Sequence, residues 1–319
     1  MFNKLCLSFT WVLFFISANV YADFPEGPIK IVVPFAPGTA SDQLARAMGQ
    51  SITAQTGQIV TIDNKPGGNG FIGATSVARS EPDGYSLFLG AGTTHSAAEH
   101  LFKNLPYDPV KDFSPITGLG KGWQILIVNQ NSPIQNIQDL IKFAKENPGK
   151  VTFASGNGSS RVAGELFQQM ANISLLNVPY KSNTFAVTSI MAGEVDMMIP
   201  DTATSLALIN SGKIRALGVS TLQRSNLLPN IPTISEAGVP GFEMGYWFGI
   251  YAPAKTPQVI INKLNQLFAK AADSESGKQF YASSAINKFI TTPQGLAEFQ
   301  KIESEKWGAT IKKAGIEKQ

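Results

Sequence analysis

The sequence predicts an α/β protein organised as two domains. Strand and helix patterns alternate along most of the chain, the strands are short and strongly apolar, and the alternation breaks between Leu105 and Gly122 before starting again. Alternation of this kind argues for a parallel sheet with helices on its faces. A restart within 319 residues argues for two such units.

The first strand, Ile29 to Phe35, is almost wholly apolar and is broken by Ala36-Pro37-Gly38. Leu44, Ala47, Met48 and Ile52 then recur at helical spacing, and Gly57 ends that helix. Val60 to Asp63 is the next strand, Asn64 to Gly70 a loop, Phe71 to Arg79 a helix, Pro82-Asp83-Gly84 a turn, and Tyr85 to Leu89 a third strand. Beyond the irregular stretch, Ile125 to Asn129 is a strand, and Asn136 caps a helix from Ile137 to Glu146 with Asp139 three residues on. Strands Val151 to Ala154, Leu175 to Val178, Val195 to Ile199 and Ala216 to Ser220 alternate with helices Val162 to Met170, Phe185 to Ala192 and Thr204 to Ser211. Trp247 to Pro253 reads as a strand leaving this domain. Helices at Pro257 to Asp273 and Gly295 to Ala314 then close the chain back on the first domain.

Met1 to Ala22 reads as a cleaved export signal: Lys4, an apolar run from Leu5 to Ala18, and the small-x-small site Val20-Tyr21-Ala22. A spanning helix needs roughly 20 apolar residues, and Ser8, Thr10, Ser17 and Asn19 interrupt this run. The mature chain is expected to begin at Asp23 and to be exported. Cys6, the one cysteine, lies in the leader, so the mature domain is expected to stand without disulfides, as a chain of roughly 300 residues can. A formal charge of +3, spread rather than clustered, disfavours nucleic acid and anionic membrane surfaces as partners.

Catalysis is poorly supplied. Nucleophilic hydrolysis needs an activated Ser or Cys beside a base, and the mature chain offers no Cys, no GxSxG and two histidines. His95 and His100, five residues apart, complete no metal set and read as surface or loop residues. Gly68-Asn69-Gly70-Phe71-Ile72-Gly73 spells GxGxxG, but the following strand ends in Gly90-Ala91-Gly92 with no acidic residue for a ribose, so no dinucleotide cofactor is expected. The motif reads as a tight loop entering a helix packed closely on the sheet.

Two strand-to-helix turns suit a small anion better. These are Phe35 to Asp42, with Phe35, Ala36, Gly38, Thr39, Ala40 and Asp42 as candidates, and Ser155 to Arg161, with Ser155, Asn157, Ser159 and Arg161. Both present backbone N–H groups at a helix N-terminus, where the dipole favours a carboxylate and glycine permits close approach. Such loops also occur as plain structure, and Asp42, three residues after Thr39, fits a capping role. Arg161 opposes the dipole of its own helix, so it is either a fork for a second oxyanion or a solvated arginine. Thr93 and Thr94 follow the third strand's carboxyl end, where open α/β sheets place ligand groups. Trp247 and Phe248 read as core or hinge packing.

Many short motifs occur in order: Val32-Val33-Pro34-Phe35-Ala36-Pro37-Gly38 with Asp42, Asn64-Lys65-Pro66-Gly67, Pro82-Asp83-Gly84-Tyr85 and Leu105 to Phe113. Ala163-Gly164-Glu165-Leu166-Phe167, Val178-Pro179-Tyr180-Lys181, Gly193-Glu194-Val195-Asp196, Gly212 to Leu217, Pro232 to Gly238 and Lys306-Trp307-Gly308 follow. Through them essentially the whole mature sequence resembles the Bug (TctC-like) family, the extracytoplasmic solute-binding receptors of tripartite tricarboxylate transporters. The resemblance implies a type II periplasmic-binding-protein fold, two lobes joined by two crossing strands near Ile125 to Asn129 and Trp247 to Ala252. Lobe one would be 23–124 with 249–319, and lobe two 125–248.

The resemblance further implies a monomer without cofactor, metal or catalysis. It would capture a di- or tricarboxylate or an aromatic acid and deliver it to the large and small membrane subunits of the transporter. In the family the first βα turn grips one carboxylate and the matching turn of lobe two supplies much of the rest. Ser159-Ser160-Arg161-Val162 departs from the common His-Leu pair there, and Asp201, after Ile199-Pro200, replaces a variable position of the distal pocket. Asp201 would face an amino-bearing ligand or pair with Arg161. A receptor serving a sensor kinase, or a secreted hydrolase or lyase on the same fold, are the rival readings.

Overall fold

A computed structural model describes residues 24–319; the leader expected at 1–22 lies outside the described residues. The chain opens with β1 (Ile29–Val33), α1 (Ala40–Thr56), β2 (Val60–Asn64), α2 (Phe71–Ala78) and β3 (Ser86–Ala91). A short π-helix at Thr93–Ala97 runs into the short α3 (Ala98–Leu101), and β4 (Phe113–Trp123) follows. Next come β5 (Ile125–Asn129), α4 (Ile137–Glu146), β6 (Thr152–Ser155), α5 (Gly158–Ala171), β7 (Leu176–Pro179), α6 (Asn183–Ala192), β8 (Met197–Met198), α7 (Thr202–Asn210) and β9 (Ile214–Val219). The last elements are β10 (Gly245–Pro253), α8 (Gln258–Asp273), α9 (Glu275–Ser284), β11 (Asn287–Lys288) and α10 (Pro293–Lys313).

Two sheets result, one ordered β11-β4-β10-β3-β1-β2 and the other β7-β6-β8-β5-β9. The parallel pairing expected from the alternation is found within the βα units, where β1 pairs with β2 and β3, and β6 with β7 and β8. β4, β10 and β11 pair antiparallel in the first sheet, and β5 pairs antiparallel with β8 and β9 in the second. The chain passes from the first sheet to the second at Gln124, between β4 and β5, and returns between β9 and β10.

The stretch expected to be irregular thus contains an eleven-residue strand, β4. Its Gly118, Gly120 and Gly122 look like loop residues, but the space a Cβ would need is filled from elsewhere. Phe289 would stand 2.5 Å from a Cβ on Gly118, Ile286 2.5 Å from one on Gly120, and Tyr246 2.2 Å from one on Gly122. Glycine alternation here marks close packing rather than a loop.

Leu44, Met48 and Ile52 of α1 join Ile260, Leu264 and Phe268 of α8 in the core of the first lobe. Burying each such side chain stabilises by about 1.5–3 kcal/mol. α10 does more than close on the first lobe, because its Trp307 and Ile311 enter the core that Val162 and Leu166 build in the second. His95 corrects the surface reading: it is 1% exposed, with its ring stacked 4.0 Å from that of Tyr251. His100 is only half-buried, and its Nε2 lies 2.9 Å from Ser304 Oγ on α10.

Candidate functional site

Between the lobes lies a narrow cavity. First-lobe loops supply Phe35, Thr39, Ala40, Ser41, Ala91, Gly92 and Thr93; second-lobe loops supply Asn157, Ser159, Asn183 and Asp201. The rest comes from the crossing residue Gln124, from Tyr246 and Phe248 on β10, and from Trp307 on α10. The lobes also touch beside it: a Cβ on Gly158 would lie 3.3 Å from Leu101 and 3.5 Å from Thr93, and one on Gly38 would lie 3.9 Å from Thr184.

The first wall is the head of α1. Thr39 occupies the N-cap, but its hydroxyl donates back to the Ala36 carbonyl at 2.8 Å and no side chain caps the helix. Ala40 and Ser41, whose first-turn N–H groups have no intrahelical acceptor, line the cavity. Asp42 braces the turn from behind. Its Oδ2 accepts from Gly38 N–H at 2.9 Å and from Arg46 Nε at 3.0 Å. Burial works to raise its pKa, but Arg46, the Gly38 N–H and Asn64 outweigh that and leave the carboxyl below its usual value. Asn64 in turn donates to the Phe35 carbonyl at 3.0 Å.

The second wall is a chain of hydrogen bonds joining three helix starts. Asn157 and Ser160 form a capping box on α5, with Ser160 N–H donating to Asn157 Oδ1 at 2.9 Å. The Ser160 hydroxyl donates to Asn183 Oδ1 at 3.1 Å, and Asn183 Nδ2 donates to Asp201 Oδ2 at 2.7 Å. Asp201 caps α7 by accepting Thr204 N–H at 2.9 Å. This convergence needs glycine at 156, where a Cβ would sit 2.2 Å from the Asn183 backbone nitrogen.

Among the described residues, four buried polar atoms on lining residues have no hydrogen-bond partner: Thr93 Oγ1, Gln124 Oε1, Ser159 Oγ and Tyr246 OH. Buried polar groups are ordinarily paired, so these mark a surface suited to hydrogen-bonding a small polar molecule. Among the described residues no lysine or arginine lines the cavity, and Asp201 is its one ionisable carboxylate. Positive potential at the wall comes from the N-termini of α1 and α5, which suit a carboxylate.

Of the residues singled out in the sequence, Phe35, Thr39, Ala40, Thr93, Asn157, Ser159 and Asp201 line the cavity. Ala36, Gly38, Asp42, Thr94, Ser155 and Arg161 do not. Thr94 Oγ1 is committed to the Ala91 backbone and His95, and Ser155 Oγ donates to Asn177 at 2.7 Å. Arg161 makes no ion pair with Asp201, and its Nε is buried without a partner. Ser41, Gln124, Asn183, Tyr246 and Trp307 were not singled out, and Phe248, read as packing, also lines the space. Asn183 was findable, since it opens a third strand-to-helix turn of the kind already flagged. Gln124, a lone amide before Ile125-Leu126-Ile127-Val128, carried a similar signal.

Two α/β lobes, crossed twice by the chain and enclosing a polar cavity lined by helix N-termini, define a bilobal solute-binding receptor. It is not an enzyme. The chain belongs to the tripartite tricarboxylate transporter receptor family, whose sequence profile matches residues 44–316. It is 37% identical over 291 residues to a protein of Pseudomonas sp. strain P51, described as a UPF0065 protein in the tcbD-tcbE intergenic region, covering 90% of this chain and 86% of the relative. Among solved structures, Rpa4515 of R. palustris with adipate superposes with a TM-score of 0.90 at 31% identity, covering 93% of this chain and all of the other. The periplasmic binding protein BugD superposes at 0.88 and 33%, with the same coverage.

Proposed function

We propose that the protein captures a small carboxylate between its lobes in the periplasm, reached through a cleaved leader, and delivers it to the large and small membrane subunits of a tripartite tricarboxylate transporter. The ligand range is that expected from the sequence: di- and tricarboxylates or aromatic acids. The observation that carries this reading is the cavity wall itself. The uncapped head of α1 and the head of α5 present N–H groups, and unpaired hydroxyls stand beside them. Adipate in Rpa4515 lends support as a carboxylate held by a relative. Residues of both walls close on the ligand, and the two crossings at Gln124 and before β10 serve as the hinge.

The experiment is a thermal-stability scan of protein that has been unfolded and refolded to strip carried-over ligand, against mono-, di- and tricarboxylates, aromatic acids and amino acids. A ligand at about 100 times its dissociation constant adds roughly 2.7 kcal/mol, a rise of several degrees for a chain of this size. No shift with any carboxylate would sink the reading.

A further inference from the structure

We propose that Asp201 sets the charge of the ligand, so that this receptor selects carboxylates that also bear an ammonium group and discriminates against plain dicarboxylates of the same length. The inference rests on the carboxylate-receptor reading and narrows it. Asp201 lines the cavity, is 8% exposed and, among the described residues, takes part in no ion pair; there its oxygens accept only from neutral groups, Asn183 Nδ2 and Thr204. The dipole of α7 offsets part of its charge, but no cation among the described residues faces it, and an ion of opposite sign is its natural complement.

The rest of the lining gives the same direction. Arg161, one of whose two readings is a fork for a second oxyanion, is absent from the wall, and no other lysine or arginine among the described residues takes its place. A dicarboxylate would therefore bring its second negative charge into a low-dielectric space that holds Asp201 and no cation, where like charges repel most strongly. Beside Asp201 the unpaired atoms are Gln124 Oε1, an acceptor, and Tyr246 OH; a backbone bridge pairs Gln124 with Asp201. An acceptor and a carboxylate at adjoining positions suit a donor-rich cation such as ammonium. Across the cavity, the head of α1 with Thr93 offers donors suited to the ligand's carboxylate, and the head of α5 with Ser159 adds donors on the same wall as Asp201.

Asp201 is held in place by the chain from Asn157 through Ser160 and Asn183, so its position is fixed before any ligand arrives. This makes it a specificity residue rather than a free surface acid. Asp201→Asn keeps the N-cap of α7 through its amide oxygen, because asparagine caps as well as aspartate; it removes the charge and, with it, the acceptor that Asn183 Nδ2 uses.

The test is calorimetric titration of the stripped protein with matched pairs: succinate against aspartate, glutarate against glutamate, and each dicarboxylate of three to six carbons against the ω-amino acid of equal length. The expected result is at least tenfold tighter binding of the amino member in one pair, with Asp201→Asn reducing that ratio at least tenfold. Should Asp201→Asn fail to fold, Asp201→Ser, which also caps, takes its place. Equal or tighter binding of the dicarboxylates by the parent protein would overturn the charge assignment while leaving the receptor reading intact. So would a preference that survives in the Asp201 variant. Absence of binding by every carboxylate would remove both.

Discussion

His95 makes the protein acid-sensitive in a way a single substitution should remove. The imidazole is buried between the rings of Tyr251 and Phe88, and burial pushes its pKa down to about 3 from an ordinary value of 6.5. Because the folded pKa lies below the unfolded one, the unfolded chain takes up the proton first. The stability His95 contributes is complete above the unfolded pKa and is lost as pH falls toward the folded one. One pKa unit corresponds to about 1.36 kcal/mol. At about pH 4 the unfolded state has gained about 2.5 units of advantage, or roughly 3 kcal/mol. His95→Phe retains an aromatic ring in the stack and abolishes the titration, while giving up the contact of Nδ1 with Thr94 Oγ1. Urea unfolding of both proteins at about pH 7 and about pH 4 measures the effect. The parent should lose about 3 kcal/mol more than the variant between the two, since every carboxylate they share cancels in the difference. Equal losses would refute the reasoning.

Three further substitutions probe the cavity walls. Gly156→Ala should lower stability by about 1–3 kcal/mol in urea unfolding, because the new Cβ meets the backbone of Ser182 and Asn183 at 2.2 Å and must push α6 away. An unchanged midpoint would show that the approach is looser than described. Thr93→Val should leave the melting temperature of ligand-free protein unchanged or raised, since the hydroxyl it removes has no partner in the protein, yet should weaken ligand binding about tenfold. Arg161→Ala should keep ligand affinity within about twofold by calorimetry, because the side chain lies outside the cavity wall. A large loss there would place Arg161 in contact with ligand.

The βα units were legible because local signals and tertiary role agree in them. Asn136 with Asp139 marks the start of α4, where the Asp139 N–H donates to the Asn136 side chain at 2.8 Å. Gly57, at φ 72°, ends α1 as its position promised. β4 was hidden because its glycines serve partners far away in sequence: Tyr246, Ile286 and Phe289 fill the places its side chains would take. Burial of His95 had the same cause, since Tyr251, one of the rings that enclose it, comes from β10. The two turns rich in glycine and hydroxyls led to five of the fifteen lining residues, Phe35, Thr39, Ala40, Asn157 and Ser159, because helix N-termini announce themselves locally. Trp307 gave no such sign, as its place in the wall depends on α10 running from the first lobe into the core of the second.

The central claim is that the cavity grips a carboxylate, and the most direct measurement replaces that one group. Stripped protein would be titrated calorimetrically with the best carboxylate from the stability scan and with its methyl ester, which keeps the shape and loses the negative charge. The account predicts that the acid binds and that the ester binds at least about a hundredfold more weakly, the helix N-termini and unpaired donors having lost their anion. Equal affinity for the ester would contradict it.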